Sequence, residues 1–350
     1  MDESRGLRCG FSHFWSNLRP RLDPTESLPA PQKMDPPENL PASEDISRWG
    51  WNPQNPDWAK GLRERWIPGE KAAHKTLDDF LDRKLINYAT DRDRLDSLSF
   101  STLSPYLHAG EITSKHIVRQ TLLKLYSHPE LQAGGEKFLS EIGWREFSRH
   151  LLIHFPQMIH TPFQNKFSRF PWKNNPVLIA AWKSGKTGYP VIDAIMRQLW
   201  ETGFISNRAR MITASFLSKD LLVDWKEGAG WFWNTLVDWD QANNTVSWQW
   251  VSGMGVDAAP YFRIYNPVLQ GEKFDPNGLY VRHWIPEIRN LPDHLIHRPW
   301  EAPEDLLRKS GITLGENYPF PIVDHQKSRQ EALFLFHALG KNKSEEGSLA

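Results

Sequence analysis

The sequence predicts an all-α domain preceded by a proline-rich connector. Apolar residues recur at helical spacing from about residue 70 onward. Strand signals are sparse: there is no sustained alternation and no Asn-Gly hairpin between apolar runs. Ten of the 26 prolines fall within residues 1–70, which sets that segment apart from the body.

Pro29, Pro31, Pro36, Pro37 and Pro41 forbid helix and interior strand, because each fixes φ and lacks an N–H. Residues 1–70 therefore read as an extended connector wrapped on the body, or as a partly mobile arm. Before the proline run, Phe11, Phe14, Trp15 and Leu18 fit one helical face. The helical body is expected over 71–340. Ala73, Leu77, Phe80, Leu81 and Leu85 keep an i, i+3, i+4 stripe from Glu70. A second helix opens near Ser114, read as its N-cap, with Ile117, Val118, Thr121, Leu122 and Leu125 on one face. A third covers about Glu136 to His154. Pro190 to Glu201 has proline at the first helical position and Gly203 past its end. One long helix is expected from Ser206 toward Val223, and a last one from Asp324 to Leu339. Residues 341–350 form a polar tail, read as frayed.

At 350 residues the chain can bury one large core or two small ones. Its formal net charge is zero, so any nucleic-acid site must be a local patch. The single cysteine, Cys9, excludes a disulfide framework and a cysteine-based metal site, and no metal is expected. No apolar run approaches the roughly 18 residues that a membrane helix needs. The opening MDESRGLRCG has no apolar h-region, so no secretion is implied. There are 17 tryptophans, more than structure alone accounts for.

Chemistry concentrates between Asp238 and Arg263. Asp238 and Asp240 are followed by Asn243 and Asn244, then by Trp248-Gln249-Trp250. Acids and amides are rarely buried without partners, and indoles bury most of their surface. Two readings stay open: a large polar aromatic ligand, or a Trp-rich turn packed on a helix bundle. In the third helix Glu141, Trp144, Arg145 and Ser148 share one face. A solvated face would carry the charges, but an exposed indole between them points to a ligand. Asn207, Arg210 and Met211 repeat the spacing on another helix, with Arg208 turned from that face toward a phosphate. A methionine such as Met211 is more often core filler than a ligand contact.

GWREF at 143–147, KTGYPVIDAIMRQL at 186–199, NRARMITASFLSKDLL at 207–222 and WQWVSGMGVDAAPYFRIYNP at 248–267 together resemble the DNA photolyases of the photolyase/cryptochrome family. LSPYLHAGEI at 103–112 matches as well, and the resemblance runs over about residues 10–340. It is nearer to bacterial cyclobutane-dimer photolyases than to plant or animal cryptochromes.

This resemblance implies a helical FAD-binding domain and blue-light repair of pyrimidine dimers in DNA by electron transfer from the reduced flavin anion. It also implies a cytoplasmic bacterial protein that works on nucleoid DNA as a monomer. Extrusion of the dimer from the duplex is the base-flipping behaviour for which photolyases are a standard example.

The family's roles fall on matching positions. Tyr88 and the run Phe100, Ser101, Thr102, Leu103, Ser104 would cradle the FAD phosphates; many relatives have Thr where Phe100 stands. Phe138 and Phe204 replace common tryptophans, keeping ring packing without the indole N–H. Arg145, Arg210, Asp238 and Asp240 would line the flavin, and Asn244 would face its N5. Glu141, Asn207 and Met211 would face the dimer, with Glu141 as a hydrogen-bond and proton donor and in contact with the cofactor, as Asn207 would also be. Trp144 and Trp250 would flank the flipped bases. Arg92, Arg208 and Gln270 match contacts to the DNA strand. Trp172, Trp225 and Trp248 match an electron relay from surface to flavin. Read singly, each of the three is a core tryptophan, and each of the strand contacts a solvated surface residue.

Two rival readings remain within the resemblance. A cryptochrome-like photoreceptor would bind FAD and signal without repair. A (6-4) photolyase would want a histidine pair where Asn207 and Met211 stand. A third, a flavoprotein remnant, follows from one departure: relatives begin with an α/β antenna domain ending near a segment like FSHFWSNLRP, which lies here at 11–20. No second antenna chromophore is expected.

Overall fold

A computed structural model describes residues 10–23, 25 and 31–346. Cys9, Pro29, most of the opening segment and the last four residues of the polar tail lie outside them. The described residues form sixteen α-helices with short 3-10 turns between them. In chain order they are α1 (Phe11–Leu18), α2 (Lys60–Arg65), α3 (Glu70–Arg83), α4 (Tyr88–Asp91), α5 (Ser104–Ala109), α6 (Ser114–Ser127), α7 (Gln132–His154) and α8 (Pro176–Lys183). There follow α9 (Pro190–Thr202), α10 (Asn207–Ser215), α11 (Trp225–Thr235), α12 (Gln241–Val251), α13 (Pro267–Phe274), α14 (Leu279–Trp284), α15 (Glu304–Lys309) and α16 (His325–Glu346). A single isolated bridge, Leu314 to Tyr318, is the only β pairing among the described residues.

Local chemistry explains most boundaries. The α3 stripe buries Ala73, Leu77, Phe80 and Leu81 as its spacing predicts. α6 is capped by Thr113, whose hydroxyl accepts from the His116 N–H at 3.1 Å; Ser114, expected as the cap, is the first helical residue. α7 starts at Gln132, a turn earlier than expected. Gly134 and Gly135 disguise that start, because glycine is a poor helix former. Gly134 is nevertheless required: a Cβ there would stand 1.8 Å from the Leu85 carbonyl oxygen. α9 opens on Pro190 and ends on Gly203 at φ 65°. Ser206 caps α10 by accepting from the Ala209 N–H at 3.3 Å.

The expected long helix from Ser206 runs on to Asp220, with α geometry to Ser215 and π geometry over Phe216–Asp220. The π segment holds two buried charged side chains that reach distant partners. Lys219 donates to the Arg263 carbonyl at 3.0 Å, and Asp220 lies 2.5 Å from His325 Nδ1 at the start of α16. α16 itself continues past Leu339 to Glu346.

Three apolar clusters organise the body. The largest gathers α9, α10, α11, α14 and the buried face of α12 around Trp182, Ile192, Leu217 and Trp248. A second joins α3, α6 and the first half of α7. The third pins α1 on the second half of α7 through Phe11, Phe147 and Leu151. The N-terminal segment is thus partly built into the body. Arg19 Nε donates to Glu136 at 2.9 Å, and the Trp66 indole donates to the Thr202 carbonyl at 2.8 Å. Residues 31–52, by contrast, are exposed throughout.

Candidate cofactor and substrate cavity

Where α7, α10 and α12 face one another, with the 100–104 turn beside them, they enclose a cavity of about 570 Å³. That is within the range of about 300–1,000 Å³ for small-molecule and cofactor sites. Its lining includes Tyr88, Arg92, Phe100, Ser101, Thr102, Leu103, Ser104, Phe138 and Glu141. Trp144, Arg145, Phe204, Asn207, Arg208, Arg210, Met211, Asp238, Asp240, Asn244, Trp248 and Trp250 complete the expected set. Trp172, Trp225 and Gln270 do not line it. Trp225 is buried and Trp172 half-buried against Phe170, at a ring separation of 4.4 Å.

The cavity grades from wet to dry. Asn207 is exposed, and Glu141, Trp144, Met211 and Trp250 are half-buried. Leu103, Phe138, Phe204, Asp238 and Trp248 are buried.

At the buried end Arg210 grips both Asp238 oxygens, at 2.9 and 2.7 Å, and its Nε donates to the Ile205 carbonyl at 3.1 Å. Asp240 caps α12, accepting from the Asn243 N–H at 2.9 Å and its side chain at 2.7 Å. Burial works to raise Asp240, but those bonds and Arg149 at 3.3 Å hold it below the usual carboxylate range. Burial and the neighbouring Arg149 lower Arg145, which binds Glu146 at 3.1 Å and Ser114 at 3.3 Å. Asn244 donates to the Ala229 carbonyl at 3.1 Å. Thr102 sits at φ 54°, and Ser101 Oγ accepts from the Leu103 N–H at 3.4 Å, a turn that gathers hydroxyls and N–H groups on the cavity wall.

At the half-exposed end Glu141, expected as a proton donor, sits between two cations. Its carboxylate binds Arg92 and, at 2.8 Å, Lys137. Burial works to lower Arg92, but Glu141, Tyr88 and Asp93 together leave it raised. Arg208 pairs with Asp93 and lies over the Phe274 ring at 4.6 Å. Asn207 Nδ2 reaches Met211 Sδ at 3.7 Å. Trp144 stacks on Phe11 of α1 at 3.7 Å, so part of its role is packing. Trp248 and Trp250 stand about 200° apart on α12, yet both reach the cavity. Trp248 packs against Phe232 at 5.0 Å.

Several lining residues went unread in the sequence. Trp239 stands between the two acids, and its indole N–H is buried without a partner, as is that of Trp248. The D-W-D spacing offered that signal for Trp239. Lys137 offered one too, four residues before Glu141 on the same predicted helix, whereas Asp93 had none, since its partner Arg208 lies 115 residues away.

This donor set fits a large ligand with an anionic portion and an extended ring. Cations, a buried Arg–Asp pair, spare indole N–H donors and aromatic walls occur together. Among the described residues there is no cluster able to hold a metal ion and no helix long and apolar enough to cross a membrane.

Comparison with known proteins agrees. Residues 138–338 match the FAD binding domain of DNA photolyase. A deoxyribodipyrimidine photo-lyase of Agrobacterium fabrum is 46% identical over 331 residues, covering 95% of this chain and 69% of that protein. Cryptochrome-1 of Arabidopsis thaliana is 38% identical, covering 96% of this chain and 52% of its own length. The crystal structure of a bacterial class III photolyase from Agrobacterium tumefaciens superposes with a TM-score of 0.91 at 44% identity, over 97% of this chain and 70% of that one. With a matched domain over more than half its length, a 0.91 superposition and a cavity that suits the flavin, the chain belongs to the photolyase/cryptochrome family.

Proposed function

We propose that the chain is the catalytic domain of a light-driven photolyase that repairs cyclobutane pyrimidine dimers in DNA. The observation that supports this most is the cavity's gradient, a charged and hydrogen-bonding buried end continuous with a half-exposed end walled by two indoles. Bound FAD would supply the photochemical electron transfer.

The chain's own residues do the rest. Ser101, Thr102 and Ser104 offer hydroxyls and N–H groups to phosphates. Arg210 and Asp238 hold a fixed dipole beside the ring, and Asn244 offers an amide that adds no charge. Trp144 and Trp250 stack on flipped bases. Glu141, kept in place by Lys137 and Arg92, offers its carboxylate to a base N–H, and Asn207 and Met211 fill the adjoining wall. Arg92, Arg208 and Gln270 contact the strand. Trp172, Trp225 and Trp248 pass electrons inward from the surface; the buried Trp248 at the cavity is the inner member.

The second reading, a flavin photoreceptor without repair, is favoured by the 38% identity to a cryptochrome. One assay separates them: blue-light repair of a dimer-bearing oligonucleotide by protein with a full complement of pre-reduced FAD. Dimer loss on illumination supports repair. No repair with the flavin in place replaces this reading by the photoreceptor.

A further inference from the structure

We propose that Asp93 is an internal stand-in for a DNA phosphate, occupying Arg208 and Arg92 so that undamaged strand is gripped weakly. This rests on the repair reading above and concerns its specificity.

Arg92, Asp93 and Arg208 line the half-exposed side of the same cavity. Asp93 pairs directly with Arg208, 115 residues away in sequence, and lies 3.8 Å from Arg92 Nε. The acid is the most exposed of the three side chains, at 33% against 19% for Arg208 and 11% for Arg92. The arginines have further anchors that do not involve Asp93. Arg208 lies over the Phe274 ring at 4.6 Å, and Arg92 lies 5.6 Å from the Tyr88 ring and binds Glu141. Both cations thus stay placed when the carboxylate swings out.

A carboxylate and a phosphate make the same planar, charge-assisted contacts to guanidinium. A phosphate reaching Arg208 must displace Asp93, and the displaced acid repels the strand. Undamaged DNA gains little else from the cavity to offset that cost. A dimer turned into the cavity adds stacking on Trp144 and Trp250, so it tolerates the cost better.

The test uses the FAD-loaded full chain and two probes, an undamaged duplex and the same duplex with one thymine dimer, titrated across salt. Asp93→Asn should bind undamaged duplex about tenfold tighter with a salt slope steeper by about one. The dimer duplex should gain less, so discrimination falls. Asp93→Glu, which keeps the charge, should stay within about twofold of wild type. In an Arg208→Ala background the gain from Asp93→Asn should vanish, as expected of a coupled pair.

Unchanged or weakened binding by a folded Asp93→Asn overturns the proposal and leaves the repair reading intact. So does a gain that persists without Arg208, which is then only net charge, or an Asp93→Glu that behaves like Asp93→Asn. If neither wild type nor Asp93→Asn binds either duplex, the repair reading falls too.

Discussion

Arg210 holds Asp238 through two hydrogen bonds, at 2.9 and 2.7 Å, across 28 residues of chain. The Asp238 side chain is 2% exposed, so the pair closes the dry end of the cavity. Either charge alone would be costly there, and together they present a fixed dipole.

Removing one partner should therefore hurt more than removing both. Asp238→Ala leaves Arg210 unpaired and should destabilise the fold by about 3–5 kcal/mol. Arg210→Met with Asp238→Leu should cost less. Urea unfolding of the three proteins measures this. Equal losses would mean that the pair is not coupled.

Trp248→Phe should keep the fold, because a ring still packs against Phe232. FAD should stay bound, photoreduction of oxidised flavin should fall sharply, and repair from chemically reduced enzyme should persist. Flash photolysis alongside a repair assay checks all three. Undiminished photoreduction removes Trp248 from the relay.

Glu141→Gln should retain much more repair than Glu141→Ala. The amide keeps the shape and an oxygen that can accept from a base N–H and from Arg92, whereas alanine loses both contacts. A lost hydrogen bond of about 1–3 kcal/mol means roughly a five- to hundredfold lower rate. Steady illumination with pre-reduced protein gives the comparison, and equal rates for the two variants would take Glu141 off the dimer.

The two buried ionisable groups within the π segment, Lys219 and Asp220, predict a pH signature. Desolvation raises Asp220 to about 6, against the pull of His325, and lowers Lys219 to about 7, with Asp220 opposing. Between the unfolded value of 3.8 and about 6, the folded state holds a proton on Asp220 that the unfolded state has lost. Stability from this group falls as pH rises through that window. Between about 7 and 10.5 the unfolded state holds the proton on Lys219, so stability rises with pH. Their joint contribution is lowest near pH 6–7. Chemical denaturation across pH should show that dip, with limbs of up to about 1.4 kcal/mol per pH unit. Asp220→Asn should flatten the acid limb and Lys219→Met the alkaline one.

The sequence by itself determined the helical class and the starts of α3, α6, α9 and α10. Those are local properties: stripes at 3.6 spacing, and proline, glycine and capping residues at helix ends. Most of the cavity-lining residues followed from the resemblance of whole motifs to a known family, not from spacing. Ser206, Pro190 and Gly203 act within a few residues of themselves, so their roles were legible.

Only the tertiary structure decided what each charge faces. Arg208 meets Asp93, Glu141 meets Arg92, and Trp144 leans on Phe11, contacts spanning up to 133 residues that follow no local period. The switch from α to π geometry after Ser215 was equally hidden, as were the distant partners of its two buried charges, the Arg263 carbonyl for Lys219 and His325 for Asp220.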